Sequence, residues 1–159
     1  MRWVANRYVS VFAGIGTVSS RIDSYSGRPY TVGTAVPYAP KYTGDAGVDF
    51  TVPFASGLAA VARVDMTSTG KTWFSPVQDN QVQSEFGTAD YSKTERDAFT
   101  LFNARLGVRA DNWDVIAWSR NLGNKQYLAE VIPAPECGGA FVSSGTGRAF
   151  GVEAGYRFK

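Results

Sequence analysis

The feature that most constrains this chain is the length of its alternating stretches. Apolar and polar side chains alternate with a period of two over runs of nine to fourteen residues, and helical periodicity is nearly absent. Six segments read as strands: about Arg7–Ser20, Tyr42–Phe54, Leu58–Thr69, Phe99–Ala110, Asn112–Arg120 and Arg148–Phe158. Strands of soluble proteins are usually about five or six residues long. A strand crossing a bilayer at a tilt of about 45° needs about 9–11 residues, so these lengths suit a membrane better than a small sandwich.

The connections alternate too. Ser56-Gly57 makes a tight link between the second and third segments, and Asp111 marks another between the fourth and fifth. The remaining links, roughly Arg21 to Lys41, Gly70 to Ala98 and Asn121 to Gly147, are long and rich in Gly, Pro, Ser, Asn and Asp. Membrane barrels have short turns at one rim and long loops at the other.

Four segments sort their charges onto one side. One parity holds Gly44, Ala46, Val48, Phe50, Val52 and Phe54; Leu58, Ala60, Ala62, Val64 and Met66; Thr100, Phe102, Ala104, Leu106 and Val108; Phe150, Val152, Ala154, Tyr156 and Phe158. No member of that set is charged. The other parity carries Asp45, Asp49, Arg63, Asp65, Arg105, Arg109, Glu153 and Arg157. A Lys or Arg facing lipid at the bilayer midplane costs about 2–4 kcal/mol, whereas a wet lumen accepts it. A soluble, half-buried sheet alternates in the same way. The first and fifth segments do not sort, because Phe12, Ile116 and Trp118 fall on the otherwise polar parity. Phe54, Trp113, Tyr156 and Phe158 gather near the short-link rim, as in an aromatic girdle or at the packed end of a soluble sheet.

Composition removes other classes. Aromatic residues make up 14% of the chain and charged ones 19%, which excludes a disordered polymer. The net charge of +2 gives no support to nucleic-acid binding. There is no His and a single Cys, Cys137, so a His-ligated zinc site, a His-based triad and an intrachain disulfide are excluded. Met1-Arg2 and the apolar run Val11 to Ile15 superficially suggest a signal peptide, but Asn6 and Arg7 interrupt it and no cleavage site follows. Ser68-Thr69-Gly70-Lys71-Thr72 mimics the end of a phosphate-binding loop, with Asp65 where its first Gly belongs. Gly14-Ile15-Gly16 lacks the third Gly of a dinucleotide fingerprint. Asp111-Asn112-Trp113-Asp114 offers too few oxygens for calcium. No metal, cofactor or enzymatic chemistry is expected.

The last third of the chain carries a resemblance. Asn103-Ala104-Arg105-Leu106-Gly107, Asn112-Trp113-Asp114-Val115, Arg120-Asn121-Leu122-Gly123-Asn124-Lys125-Gln126-Tyr127, Gly147-Arg148-Ala149-Phe150-Gly151-Val152 and Gly155-Tyr156-Arg157-Phe158 follow one another with characteristic spacing. Together they resemble the last three strands of TonB-dependent outer-membrane receptors. Ala39-Pro40-Lys41-Tyr42-Thr43 is similar to the opening of an earlier strand in that family, and Thr69-Gly70-Lys71-Thr72-Trp73-Phe74 to the end of the next. Two positions depart from the family pattern. Gly123-Asn124 replaces the usual Phe-Asp, and Lys159 follows the closing aromatic Phe158.

The resemblance implies an all-β, antiparallel up-and-down meander of about six long strands, an open part of a barrel of about 22 strands whose lumen holds a plug. Residues 1–159 are then one partial barrel domain, the C-terminal strands of a receptor, without its plug or the N-terminal box that engages the inner-membrane TonB complex. The implied function is nutrient import at the bacterial outer membrane, most often of ferric siderophores. The implied partners are outer-membrane lipid, the N-terminal strands and plug, the TonB complex and a small nutrient ligand. Asp45, Asp49, Arg63, Asp65, Arg105, Arg109, Glu153 and Arg157 would face the lumen and pair across strands. Trp73, Phe74 and Tyr91 in the longest loop could stack on a ligand or pack on one another. The alternatives are a soluble or secreted β-sheet binding module using these aromatic-rich loops, and an oligomeric barrel shared among several chains. As a barrel segment, the chain is expected to form an open sheet with nearest-neighbour pairing and two unpaired edges.

Overall fold

The computed structural model describes residues 1–55, 57–78, 81–84, 87–92, 94–134 and 137–158. Ser56, in the first expected tight link, and Lys159 lie outside the described residues. In chain order the strands are β1 (Arg2–Asn6), β2 (Val9–Thr17), β3 (Tyr42–Ala55), β4 (Leu58–Thr69), β5 (Thr72–Trp73), β6 (Gln81–Ser84), β7 (Gly87–Asp90), β8 (Glu95–Arg96), β9 (Phe99–Ala110), β10 (Trp113–Arg120), β11 (Leu128–Ala134), β12 (Gly139–Ser144) and β13 (Ala149–Tyr156). Seven of them form one antiparallel sheet in the order β1-β2-β3-β4-β9-β10-β13, each paired with its neighbour in the chain path. The other six make three two-stranded ribbons, β5–β8, β6–β7 and β11–β12. No described helix is long and apolar enough to cross a membrane, which has no bearing on strands.

Six of the sheet strands match the expected segments; β1 was not expected, and the sheet has seven strands where about six were read. The polar pair that spoiled a signal peptide is a turn. The Asn6 side-chain oxygen accepts hydrogen bonds from the backbone N–H groups of Tyr8 (2.8 Å) and Val9 (3.0 Å), reversing the chain and pairing Arg2 with Phe12. With this hairpin included, all the short turns lie at one rim and all the long connections at the other. At the short-turn rim Gly57 adopts φ +73°, the left-handed conformation a Gly tolerates without strain.

The register lines the parities up across the sheet. Ala46, Met66 and Phe102 share one row; Phe50, Ala62, Leu106 and Ala117 share another; all are on the uncharged face. Nothing among the described residues covers that face: Leu106 is 66% exposed and Val152 73%. The side chains that refused to sort are explained by glycines. Phe12 sits across from Gly47, Ile116 from Gly107 and Trp118 from Gly151, all on the charged face. A Cβ at Gly47 would lie 2.6 Å from the Phe12 ring, and one at Gly151 would run into the Trp118 indole. Each bulky side chain therefore lies flat over a strand with no side chain of its own, which lets it occupy a face otherwise lined with charge.

The few deeply buried side chains gather mainly among the long connections. Val77, 1% exposed, packs with Tyr91 and Val82. The Gln78 amide donates to the carbonyls of Ala35 (2.7 Å) and Ser75 (3.0 Å) and accepts from the Ala35 N–H, so the first long connection is clasped to the second. The third is closed by Asn121, which is 3% exposed and left-handed (φ 49°). Its side chain donates to the carbonyls of Lys125 and Thr146, both at 3.0 Å, and accepts from the Lys125 N–H at 2.8 Å. Asn124 accepts from the Arg148 N–H, and Tyr127 stacks on Phe99 with ring centres 4.2 Å apart. The Asn-Leu-Gly-Asn-Lys-x-Tyr element is thus a knot that ties the end of β10 to the start of β13. Gly123 has open space around it.

Three substitutions test this account by urea unfolding of the chain in detergent. Gly107→Ala drives a Cβ into the Val115 carbonyl oxygen and to 2.8 Å from Ile116 Cα, and should destabilise by about 1–3 kcal/mol; Gly44→Ala meets only the Gly14 carbonyl at 3.6 Å and should change little. Asn121→Ala strands three backbone groups and should cost about 1–3 kcal/mol while increasing proteolysis in 122–147 ahead of global unfolding.

Candidate functional site

The charged face is the candidate site, because alternation gathers on it nearly all the sheet's ionisable groups. Part of it is a continuous line. Arg2 on the edge strand β1 reaches Asp49 on β3 at 3.2 Å; Asp49 is 3.6 Å from Arg63 on β4; and Arg63 bonds Asp65 at 2.9 Å. Asp65 accepts from the Asn103 amide on β9 at 2.8 Å, and the Asn103 oxygen accepts from the Asn121 backbone N–H at 3.1 Å. The line runs across the sheet from its first strand to the knot after β10. Arg63 also stacks on the Phe12 ring, 4.4 Å from its centre. These groups are half-exposed, so each pair contributes little alone; the value of the arrangement lies in its connectivity.

At the short-turn rim Arg157 bonds Asp114 at 2.8 Å and the Ala110 carbonyl at 3.3 Å. Of the eight charged candidates, Asp49, Arg63 and Asp65 are therefore brought together, and Arg157 finds a carboxylate outside the set. Asp45, Arg105, Arg109 and Glu153 form no ion pair among the described residues. Arg2, Asn103, Asp114, Trp118 and Arg120 belong to the same surface but were not picked out as candidates. The glycines opposite Ile116 and Trp118 are the signal that fixes the parity of β10, and hence the side on which Asp114 stands.

A recess of about 410 Å³ opens on this face, lined by Arg63, Asp65, Asn103, Arg105, Trp118 and Arg120, with Ser119 at its edge. A smaller hollow toward the turns, about 220 Å³, includes Asp49, Val61, Arg105, Arg109 and Ile116. Among the described residues no cluster of His, Cys, Asp and Glu is arranged to hold a metal.

The loop aromatics are turned inward. Phe74 is 4% exposed and Tyr91 8%; Phe74 meets Tyr38 edge-on at 5.5 Å, and Tyr91 belongs to the Val77 cluster. Trp73 is half-buried with the Lys71 ammonium 5.4 Å from its ring. Phe74 and Tyr91 are thus taken up by packing within the loops. Arg96 sits at the junction of the loops: it donates to the Leu128 carbonyl (2.9 Å) and the Thr72 hydroxyl (3.1 Å) and lies against Phe74 and Phe99. Burial lowers the pKa of its guanidinium, with Tyr127 acting in the opposite sense. Cys137 is an exposed free thiol. The Ser68–Thr72 stretch runs from β4 into β5 with no helix after it, unlike a phosphate loop.

No family model and no curated protein matches the sequence. Solved structures do match. The ferric yersiniabactin uptake receptor FyuA of Yersinia pestis aligns over 99% of this chain and 22% of its own, with a TM-score of 0.78 and 16% identity. The ferric preacinetobactin receptor BauA of Acinetobacter baumannii aligns over 96% and 20%, with a TM-score of 0.67 and 14% identity. The siderophore receptor PiuA of the same organism aligns over 96% and 20%, with a TM-score of 0.63 and 15% identity. The matched proteins are transport receptors, not enzymes, and the chain spans about a fifth of their length. The chain has the fold of part of a TonB-dependent receptor barrel: an open antiparallel sheet of long strands.

Proposed function

We propose that this chain is a C-terminal stretch of the wall of an outer-membrane, TonB-dependent uptake receptor, with its uncharged face toward lipid and its charged face toward the lumen. The observation that carries the reading is the uncovered apolar face. Seven adjacent strands present Val, Leu, Phe, Ala and Met side chains outward with no second layer among the described residues against them. A soluble sheet with that face needs a packed partner, whereas a hydrocarbon core about 25 Å tall is a sufficient one. Twelve residues of β4, at about 3.4 Å each and tilted about 45°, rise by slightly more than that height. Phe54, Trp113, Tyr156 and Phe158 are exposed at the short-turn rim, where headgroups favour amphipathic rings.

The cargo we infer is a ferric siderophore, supported by the matched receptors, two of which are receptors for ferric yersiniabactin and ferric preacinetobactin and the third a siderophore receptor. In this reading the rest of the barrel pairs with the β1 and β13 edges, a plug fills the lumen, and the inner-membrane TonB complex supplies the energy. A ring made only of identical copies is disfavoured. The sheet has an odd number of strands, so β1 and β13 run in the same direction. Joining them head to tail would place a parallel seam in an otherwise antiparallel wall.

The orientation is tested by a pair of arginines in the complete barrel of which this chain is proposed to be a part, folded into phosphocholine vesicles. Leu106→Arg, on the uncharged face, should lower stability by about 2–4 kcal/mol, while Thr67→Arg, exposed on the charged face, should change it by less than about 0.5 kcal/mol. Equal tolerance of the two, or a folded monomer without detergent, would overturn the membrane reading. The cargo is tested separately: deleting the encoding gene should abolish growth on the host's ferric siderophore under iron limitation, and unimpaired growth would exclude iron as the transported nutrient.

A further inference from the structure

We propose that the three long connections form one cap that opens and closes as a single body, so that loosening one of them loosens all three. The connections are residues 18–41, 70–98 and 121–148, and direct contacts fasten each to another. Between the first and the second, the backbone N–H groups of Tyr38 and Lys41 donate to the carbonyls of Trp73 (2.8 Å) and Lys71 (3.3 Å). Gln78, 8% exposed, fixes both ends of its amide on the Ala35 backbone. Between the second and the third, Arg96 donates to the Leu128 carbonyl at 2.9 Å, and Tyr127 stacks on Phe99 where the second connection enters β9. Arg96 also holds the Thr72 hydroxyl at 3.1 Å, so its guanidinium braces the second connection while gripping the third.

Burial is the second support. Thr31, Thr72, Phe74, Ser75 and Val77 are each less than 5% exposed, and all lie in the connections. Segments that share buried groups open together, because none can leave without uncovering the polar and apolar groups of the others. Strain at the junction is the third. Tyr38 is held at φ 61°, a conformation that a bulky residue keeps only where its surroundings impose it. The surroundings here are the other two connections: its N–H is taken by Trp73, its ring meets Phe74 edge-on at 5.5 Å, and its hydroxyl lies 3.5 Å from a Glu130 carboxylate oxygen. These contacts lie within the chain and hold whichever face of the sheet meets lipid. On the reading of the sheet as a barrel wall, the long-loop rim then carries one gate along this stretch rather than three independent lids.

The test is amide hydrogen exchange read by mass spectrometry, on the complete barrel in phosphocholine vesicles. At a pH high enough for opening to limit exchange, peptides from 18–41, 70–98 and 121–148 of the unmutated protein should open at one rate, equal within about twofold. Two variants then ask whether loosening spreads. Gln78→Ala removes contacts to the first connection and within the second, yet should speed exchange in the third by about tenfold, the scale of one buried hydrogen bond. Arg96→Ala, which acts on the second and third, should do the same in the first. Three unrelated opening rates in the unmutated protein, or acceleration confined to the connections each variant contacts, would overturn the cap. Exchange in β4 and β9 reports the wall separately. Loss of coupling while those strands stay protected strikes the cap alone; strands that exchange as fast as the connections strike the barrel reading with it.

Discussion

A β-sheet has two faces, and the backbone can satisfy its own hydrogen bonds while leaving both faces to find partners. Here one face is apolar over seven strands and receives no cover from the described residues. That constraint organises the rest of the molecule. It forces the charges to the opposite side and allows strands longer than a compact domain would use. It also places the few deeply buried side chains chiefly in the connections, where Val77, Gln78 and Asn121 bind the long segments to one another. The bare backbone edges of β1 and β13 are a second unmet demand, and an isolated sheet with such edges is prone to pair with other chains.

The charged face solves its own packing problem by pairing bulk with absence. Phe12, Ile116 and Trp118 each lie over a glycine of the neighbouring strand, so three large apolar groups share a surface with arginines and aspartates without lifting the backbone apart. The line from Arg2 through Asp49, Arg63, Asp65 and Asn103 ends on the backbone of Asn121. The loop knot and the wall are therefore one hydrogen-bonded system. Removing an acid from the middle of the line would leave Arg63 facing Arg105 with less neutralisation, so the line also sets the electrostatics of the recess.

Several features are legible in the sequence. Leu58–Thr69 and Phe99–Ala110 were read with the bounds the structure gives them, because uninterrupted alternation marks a long strand plainly. β1 was not legible. Five residues ahead of Asn6-Arg7 look like a broken apolar run, and only the side-chain turn at Asn6 together with a partner strand makes them a hairpin. The small ribbons within the long connections escaped for a similar reason: two-residue strands such as Thr72–Trp73 have no periodicity to read. In the candidate site, the eight charges were placed on one parity, but which of them meet could not be read. Arg63 could have paired with several acids, and the register gives it Asp49 and Asp65 while leaving Arg105 without one.

The sequence by itself determined the strand character, the alternation of short and long connections and the segregation of charge, since each is written in the order of side chains along a period-two backbone. Tertiary structure alone decided that the sheet has seven strands, that Phe74 and Tyr91 turn inward, and that bulky side chains on the charged face sit over glycines. The physical reason is common to all three. Alternation is a property of one strand, whereas pairing, burial and close approach are properties of register, and register exists only once two strands have met.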